Sequence, residues 1–559
     1  WVAVVSLVTA IVCTWPLALH FSSSVPLGTE TAATIPAFDV WTLWWSADRL
    51  LHGYQGLWNA PIFHPIQGAF AFSEPLLLPG IVASPLFALH APPALAYNFV
   101  LVAALCGNGI LSCRCARALG VERLPAVLAA VLMVALPFLA KMQGELPVLL
   151  IGGTLAALDG AVRFGRDGRT LHAAVAGIGL VVQALMSLQL TLFSLLFALA
   201  ACLVALAQRR FARASVLRLG GTALVTALLL YLIVRVPMRI HEQFGFQRDI
   251  ELTRSLSASV GDFFSRPQGA LVPFPPSEDA AAFTEGLFPG LIVLALAAYG
   301  VIRPPGAARS LWRWYLAAGC CAAFLLSLGL NLSVLGWLPF EALRALPGFG
   351  EIRSVFRCAV FLQMHLVVLA GLGLSAVMRR YGDTGRAQVV ATVVGLLGAL
   401  ENLSLPARLL PMPTPRTGWT AYVASLPPDT VLAHVPFPSG GNVEDLAPEA
   451  WRMYAQIDHQ RALVNGYSSN FPALQRELMF AMGSQFPHPM LACALARVFH
   501  ADLLVVDSDW LAIHAADFAQ LGPMLQPAYA DSAVAIYRLQ PSEAECPPMR
   551  VEVGTRGAE

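Results

Sequence analysis

The sequence predicts a polytopic α-helical membrane protein of about eleven transmembrane helices, followed by a soluble C-terminal α/β domain. Its 559 residues are 57% hydrophobic and 12% charged, and the mean hydropathy is +0.65. Because soluble domains carry about 25% charged residues, this composition excludes a fully water-soluble protein. The net charge of +1 gives no reason to expect a nucleic-acid partner, so membrane lipid is the first partner expected.

Apolar runs long enough to cross a bilayer recur along the first part of the chain. We predict spans near residues 1–19, 94–113, 124–140, 146–162, 171–186, 188–207, 216–236, 287–302, 314–330, 355–377 and 387–404. A further apolar run at 76–90 is broken by Pro79 and Pro85, and we expect it to be interfacial or re-entrant. Trp1 opens directly into an apolar run without an initiator Met, so we expect the natural chain to begin earlier.

Short arginine-bearing links follow alternate spans, which orients the protein. Cytoplasmic loops are enriched in Lys and Arg, so all of these links face the cytoplasm if the N-terminus is inside. Lys141 is the only lysine among 35 basic residues, a composition typical of a GC-rich bacterial genome. We therefore predict a multi-pass protein of the bacterial cytoplasmic membrane, with a cytoplasmic N-terminus.

This orientation predicts a membrane domain at 1–404 and an extracytoplasmic domain at 405–559. The larger outside loops are 20–93 and 237–286, and residues 331–346 predict a short amphipathic helix at the interface. The C-terminal part predicts an α/β domain, because strand-like and helical runs alternate there. The strands are expected at Thr430–Pro436, Asp502–Asp507 and Ala533–Leu539, and the helices near 444–457, 471–484 and 489–499.

The first outside loop carries an acidic residue beside aromatic side chains. Trp41, Trp44 and Trp45 recur at helical spacing and predict a helix that lies flat in the headgroup layer, with Asp39 at its N-terminus. Two roles stay open for Asp39. It caps this helix, or its carboxylate acts at the membrane surface as a general base or as a metal partner.

Basic residues outside the membrane are candidates for binding a phosphate. Arg353 and Arg357 are four residues apart, on one helix face at the outer end of the tenth span. They either bind an anionic donor or pair with Glu351 and lipid headgroups. Arg239 and His241 belong to a second basic group of mixed charge, for which a solvated loop and a gating loop are both open.

The C-terminal domain has one dense polar constellation. It comprises residues 456–461 and the run Asn465-Gly-Tyr-Ser-Ser-Asn470, which is typical of a turn and also offers carbohydrate-binding groups. Only two of the ten cysteines, Cys493 and Cys546, lie in this polar part, and a disulfide bond between them is possible.

Taken together, these features resemble the GT-C glycosyltransferases. The resemblance rests on the inside N-terminus, the long first outside loop with an early Asp, the aromatic helix, the stretch Trp58-Asn-Ala-Pro-Ile-Phe-His-Pro65 and the domain after the last span. It is specific in residues 35–75 and looser in 345–375. It implies transfer of a hexose or pentose from a polyprenyl-phosphate-linked donor to a glycan, lipid or protein acceptor outside the membrane.

The resemblance also implies roles for individual residues. By position, Asp39 takes the part of the family's catalytic base or metal partner, so Mg²⁺ or Mn²⁺ is a possible cofactor. Many members carry a second acidic residue nearby, and the chain offers Glu74 and Glu145 for this role, with packing or capping as the other reading. His64 is a candidate contact for the donor phosphate or the acceptor, or else a structural histidine.

Two other classes of function stay open. A transporter or flippase of lipid-linked saccharides also has many spans and basic outer loops, but transporters usually carry charges near the membrane midplane. The most span-embedded acid here, Asp159, lies near the cytoplasmic end of the fourth predicted span, which makes the transporter the weaker reading. A non-catalytic envelope assembly protein would use the C-terminal domain to bind a partner or a glycan.

Overall fold

The fold is known from a computed structural model that describes residues 1–29, 32–274, 283–303, 311–382, 384–542 and 546. Up to residue 244 its α-helices are α1 (Val2–Cys13), α2 (Thr34–Leu51), α3 (Leu77–Ala88), α4 (Pro93–Ala118), α5 (Arg123–Val134), α6 (Pro137–Lys141), α7 (Leu146–Leu149), α8 (Gly152–Asp167), α9 (Thr170–Met186), α10 (Leu188–Gln208) and α11 (Arg213–Phe244). They are followed by α12 (Ile250–Ser255), α13 (Leu291–Ile302), α14 (Leu311–Ser327), α15 (Pro339–Arg344), α16 (Ala359–Arg380) and α17 (Gly385–Glu401).

Six helical stretches of the described residues are long and apolar enough to cross a membrane. They are Pro93–Ala118, Arg123–Lys141, Leu146–Asp167, Leu188–Gln208, Arg213–Phe244 and Val355–Arg380. The shorter apolar helices α1, α9, α13 and α14 coincide with four more predicted spans, and α3 occupies the run at 76–90. The chain is a multi-pass membrane protein, and the total of about eleven spans stays a prediction.

Two elements in this region end differently from the sequence pattern. Helix α11 continues to Phe244 and ends where Gly245 takes a left-handed conformation (φ 61°), while the start of the second outside loop at 237 stays a prediction. The amphipathic helix predicted at 331–346 is reduced to α15. Leu335 (φ 52°) and Gly336 (φ 83°) form a turn that a helix cannot contain, and Pro339 begins the short helix instead.

The C-terminal part forms a mixed sheet flanked by helices. The strands of the chain are β1 (Ser24–Pro26), β2 (Leu409–Pro411), β3 (Val431–Val435), β4 (Ala462–Leu463), β5 (Leu503–Asp507), β6 (Leu525–Ala530) and β7 (Val534–Leu539). The helices here are α18 (Gly418–Ala424), α19 (Ala447–His459), α20 (Ala473–Gln485), α21 (Pro489–Arg497) and α22 (Ser508–Phe518).

Five strands join in the order β4-β3-β5-β7-β6, in which β3 is parallel to β4 and β5 while β7 is antiparallel to β5 and β6. The predicted strands at 430–436, 502–507 and 533–539 are confirmed as β3, β5 and β7, and the three predicted helices as α19, α20 and α21.

One face of this sheet packs on residues 38–72, which belong to the predicted first outside loop. Alternate side chains of the strands point to opposite faces, and Leu432, Val505 and Ile536 share a hydrophobic cluster with Trp41 and Phe70. The other face is covered by α20, α21 and α22. The C-terminal part therefore shares a core with the first outside loop.

Backbone hydrogen bonds reinforce this contact. Residues 61–64 run along the edge of β4, where Leu463 donates to the Pro61 carbonyl (2.9 Å) and His64 donates to the Leu463 carbonyl (2.9 Å). Strand β1 of the same loop pairs antiparallel with β2, which lies in the Pro-rich stretch of residues 405–415. The first loop and the C-terminal part are thus joined at two sheet edges.

The aromatic stripe of α2 is buried in protein and does not lie in a headgroup layer. Trp41 is 1% exposed, and Trp44 and Trp45 are each 6% exposed. The indole of Trp41 donates to the side-chain oxygen of Gln456 on α19 (2.8 Å). The helical spacing was read correctly, but the surface that covers it comes from a segment about 400 residues away, which spacing alone cannot indicate.

Candidate functional site

A cavity of about 350 Å³ lies where the N-terminus of α10 and the C-terminus of α11 meet the segment before α16. Its polar lining comes from Ser73, Glu74, Gln189, His241, Arg248, Glu351, Arg353, Ser354, Arg357, Ser469 and Asn470. Its apolar lining comes mainly from Leu188, Leu192, Leu195, Leu230, Tyr231, Val234 and Met238.

The cavity is polar at one end and apolar at the other because of how its two long helices run. From Leu188 to Leu195, α10 descends about 10 Å from its polar N-terminus. Leu230 and Val234 of α11 lie two to three turns before His241. Tyr231 is 59% exposed and Leu195 is 36% exposed, so the apolar end opens sideways toward the membrane.

Arginine side chains dominate the polar end. Arg353 lines the cavity and has no hydrogen bond or ion pair with any residue that the structure describes. Arg357 donates to the side-chain oxygen of Gln189 (2.8 Å) and pairs with Glu145, but its buried Nε has no partner in the described part of the chain. These free donors point to an anionic ligand.

Arg248 completes this group. Its guanidinium donates to the carbonyl oxygens of Ser469 (2.6 Å) and Glu351 (3.2 Å). Burial, together with the nearby positive charge of Arg353, lowers the pKa of Arg248 to about 10. Positive charges gathered in a partly desolvated space repel each other, and a bound anion would relieve that repulsion.

His241 stands at the same end of the cavity. One ring nitrogen lies 2.7 Å from the Ala71 carbonyl oxygen, and the other contacts the Glu351 carboxylate. His241 therefore lines the cavity, whereas Arg239, two residues earlier, is exposed and does not line it. A substrate contact of either residue stays a prediction.

Glu74 is the candidate acid that touches the cavity. Its two oxygens accept hydrogen bonds from the backbone N–H groups of Leu188 (2.7 Å) and Gln189 (2.8 Å), at the first turn of α10. Burial raises the pKa of Glu74, while these two hydrogen bonds and the charge of Arg357 oppose that shift. A carboxylate so occupied caps a helix and positions the cavity wall.

Asp39 and Glu145 lie behind the cavity wall. Glu145 pairs with Arg357, and the charges of both Glu145 and Arg357 act on Asp39. Asp39 is 3% exposed, and one carboxylate oxygen accepts a hydrogen bond from the Leu146 backbone N–H (2.8 Å). The three predicted acids are therefore brought together around Arg357, and of the three only Glu74 lines the cavity.

Asp39 does not cap its own helix. Helix α2 begins at Thr34, so Asp39 lies in its second turn and its side chain reaches the start of α7 instead. Burial raises the pKa of Asp39 well above its usual value, the Leu146 hydrogen bond opposes this, and the charge of Glu145 adds to it. A carboxyl group with a raised pKa is a stronger proton acceptor once ionised.

No protein-family model matches the sequence, and a comparison with curated proteins finds no match. Among solved structures, arabinofuranosyltransferase AftD from Mycobacteria is similar, with a TM-score of 0.56 and 17% identity, over 97% of this chain and 40% of AftD. A mutant of AftD has a TM-score of 0.56 and 16% identity, over 97% of this chain and 41% of the mutant chain. The Archaeoglobus fulgidus oligosaccharyltransferase, in complex with Zn and sulfate, has a TM-score of 0.49 and 14% identity, over 98% of this chain and 74% of the oligosaccharyltransferase.

AftD is a membrane glycosyltransferase of the GT-C superfamily. The chain has the GT-C fold. This confirms the resemblance that the first outside loop indicated, at the level of the fold. The chain spans about 40% of the length of AftD, so what the longer enzyme does is not carried over here.

Within this GT-C fold, His64 lies away from the cavity. It is half-buried at the edge of the C-terminal sheet, where burial and the nearby His500 lower its pKa while Asp502 raises it. The prediction that it contacts substrate gains no geometric support. Residues 61–64 form backbone hydrogen bonds along the edge of β4, which their Phe and Pro residues did not reveal.

A divalent metal is not favoured by the donor groups present. No group of three or more His, Cys, Asp or Glu side chains that could hold a metal occurs among the residues that the structure describes. The oxygens of Glu74 are used by α10, and Glu145 is paired with Arg357. These acids do not fit a metal site as arranged, and we derive no step through a metal.

The sequence offered the run 465–470 as a turn or as carbohydrate-binding groups, but it did not indicate that this run forms the roof of the cavity. Ser469 and Asn470 come from the turn-like run of the C-terminal part, and Ser73 comes from the first outside loop. The hydroxyl groups of Ser73 and Ser469 are hydrogen-bonded (2.8 Å), and the Asn470 amide donates to the Phe72 carbonyl (3.1 Å). The density of polar groups at 465–470 was the available signal.

Proposed function

We propose that the chain is a glycosyltransferase that moves a sugar from a polyprenyl-phosphate-linked donor to an acceptor at the extracytoplasmic face of the bacterial cytoplasmic membrane. One observation carries the proposal. A single cavity joins an apolar groove, open sideways between α10 and α11, to a cluster of three arginines with unused hydrogen-bond donors. This pairing suits a lipid whose long tail ends in a phosphate.

The chemistry that we propose is an inverting displacement. The acceptor hydroxyl oxygen forms a bond to the anomeric carbon, and the bond from that carbon to the phosphate oxygen breaks. The phosphate leaves with the bonding electron pair, and Arg353 and Arg357 stabilise its growing negative charge. The hydroxyl proton passes to the carboxylate of Asp39.

Donor binding also explains how the buried acids become accessible. A phosphate that binds Arg357 competes with Glu145 for the same guanidinium. Release of Glu145 opens the wall in front of Asp39, whose carboxylate is otherwise shielded from the cavity. Asp39 then acts as the base, Glu145 as the group that keeps Arg357 in place between turnovers, and Glu74 as a positioning residue for α10.

Two features support the extracytoplasmic side. The arginine-bearing links between alternate spans favour a cytoplasmic location for the helix ends that they join. The cavity lies at the other ends of the helices. Cys493 and Cys546 form a disulfide bond in the C-terminal part, and disulfide bonds persist in oxidising compartments. The cavity is roofed by that same part of the chain.

A transporter is less well supported. Transporters usually carry charges near the membrane midplane, whereas the most span-embedded acid, Asp159, is 1% exposed and pairs with Arg163 (2.8 Å) and Arg114 (3.4 Å). These partners satisfy the charge of Asp159 within the helix bundle. The third class, a non-catalytic assembly protein, gives no reason for free arginine donors beside an apolar groove.

The test is sugar transfer by the full chain in proteoliposomes supplied with radiolabelled polyprenyl-phosphoryl pentose or hexose and a glycan acceptor. We expect transfer by the wild type and a loss of about tenfold or more in kcat/KM for R353A, because hydrogen bonds to charged groups contribute about 1.5 to 3 kcal/mol. The matched control is R235A, which removes an exposed arginine of α11 outside the cavity and should keep wild-type activity. Equal activity of R353A and R235A would contradict the proposal.

A further inference from the structure

We infer that Ser469 and Asn470, which the C-terminal part inserts into the roof of the cavity, bind the hydroxyl groups of the donor sugar and select which sugar is accepted. This inference rests on the proposed function and assigns a binding role to residues outside the membrane helices. It makes the C-terminal part a component of the donor site.

The position of these residues follows from contacts between distant parts of the chain. Ser469 is tied to the first outside loop by its hydrogen bond to Ser73, and its carbonyl oxygen accepts from Arg248 (2.6 Å). Asn470 is anchored by its amide nitrogen to the Phe72 carbonyl (3.1 Å). The loop is thus fixed beside the arginine cluster.

The hydrogen-bonding groups that remain available in this roof suit a sugar. The side-chain oxygen of Asn470 has no hydrogen-bond partner in the part of the chain that the structure describes, and both residues line the cavity. The two hydroxyl groups of Ser73 and Ser469 share one hydrogen bond, which leaves a second hydroxyl proton and several lone pairs available. Neutral donors and acceptors of this kind recognise sugar hydroxyls without competing for the phosphate.

Geometry of the donor places the sugar beside this roof. The anomeric carbon is bonded directly to a phosphate oxygen, so a phosphate held by Arg353 and Arg357 carries its sugar within the same polar end. The carboxylate of Glu74 accepts hydrogen bonds from the start of α10. The side chain of Gln189 is hydrogen-bonded to Ser354 and Arg357. The roof is therefore the surface that offers neutral groups without partners.

The experiment compares two lipids on the full chain in nanodiscs. One is polyprenyl phosphate without a sugar, and the other is the same lipid carrying a pentose or a hexose. For N470A and S469A we expect the dissociation constant of the sugar-bearing lipid to rise about three- to tenfold, while that of polyprenyl phosphate is unchanged. N442A, an exposed asparagine of the C-terminal part, is the matched control and should bind both lipids as the wild type does.

Each other outcome has a defined meaning. If neither lipid is affected by N470A and S469A, the inference is overturned. If both lipids are weakened in parallel, the roof supports Arg248 or the fold, and the inference is again overturned. If the wild type binds neither lipid, the proposed function itself fails, and the inference fails with it.

Discussion

The carboxyl group of Asp39 is fixed by one backbone N–H and surrounded by the charges of Glu145, Glu74 and Arg357. Its neighbours come from three separate stretches of chain, and burial is the largest influence on its pKa. A sequence shows that an acid follows an aromatic pattern, but it does not show which helix end that acid will meet. The sequence singled out Asp39 as a candidate, but it did not indicate the partner Leu146.

Asp39 gives a residue-scale prediction about rate and pH. We expect D39N to lower kcat about a hundredfold or more, because a positioned general base contributes about 10²- to 10⁴-fold. Only the ionised carboxyl accepts a proton, so the wild-type rate should fall as the pH is lowered through the raised pKa of Asp39. The acid limb of the rate profile should therefore lie above the 3.8 of an ordinary Asp.

The control for this measurement is on the same helix. Asp48 pairs with the adjacent Arg49 and is not near the cavity lining, so D48N should retain wild-type activity. Transfer assays of both variants between acid and neutral pH provide the comparison. Full activity of D39N, or loss of activity in D48N to the same extent, would show that Asp39 is not the base.

Arg353 and Arg357 were recognisable from the sequence, whereas Arg248 was not. Their spacing and their position at an outer helix end predicted a phosphate site, and the structure places both on one cavity. Arg248 follows Arg239 and His241 in a basic group that also contains acidic residues, so the sequence did not distinguish a solvated loop from a gating loop there. Its burial and its contacts with Ser469 and Glu351 depend on tertiary structure, so charge patterning alone could not single it out.

At the scale of elements, the first outside loop and the C-terminal sheet behave as one packed unit. Residues 61–64 hydrogen-bond along β4, and the ring of Phe63 lies against Gly466. The alternation of residues in β3, β5 and β7 made those strands predictable. The short strand β4 and the added edge at 61–64 were not, because both depend on partners far along the chain.

This contact gives a prediction about the loop. A Cβ at Gly466 would lie 2.8 Å from the ring of Phe63, closer than two carbon atoms can pack. We expect G466A to displace Phe63 and to destabilise the docked loop by about 1 to 3 kcal/mol, the usual cost of overpacking. Amide hydrogen exchange of residues 57–72, measured by mass spectrometry, should be faster than in the wild type.

The matched control is G441A, since Gly441 has open space around its Cβ position. Its exchange pattern should equal that of the wild type. Unchanged exchange in G466A would mean that the Phe63 contact does not hold the loop.

At the scale of the whole molecule, composition and hydropathy were enough to predict a multi-pass helical protein, and the GT-C fold agrees with the resemblance seen in residues 35–75. Hydropathy measures affinity for lipid and says little about which apolar surfaces meet each other. The aromatic helix α2 illustrates this limit, because its tryptophans read as an interfacial stripe and are buried under the C-terminal sheet.

The cavity is assembled at this same scale. Its walls come from α10 and α11, its arginines from α11's following loop and the start of the last long span, and its roof from residues beyond 465. No local pattern contains all of these parts. The arrangement explains why the individual residues could be nominated from the sequence while the shared pocket could not be foreseen.

The most direct test of the central claim is to map where the donor lipid binds. The full chain in nanodiscs is photolabelled with a polyprenyl-phosphoryl sugar that carries a diazirine on its first isoprene units, and labelled peptides are identified by mass spectrometry. We expect labels on α10 near Leu192 and Leu195 and on α11 near Leu230 and Val234, with competition by unlabelled polyprenyl phosphate. Labelling confined to another surface, such as the apolar groove beside Phe264 and Leu325, would contradict the proposed donor site.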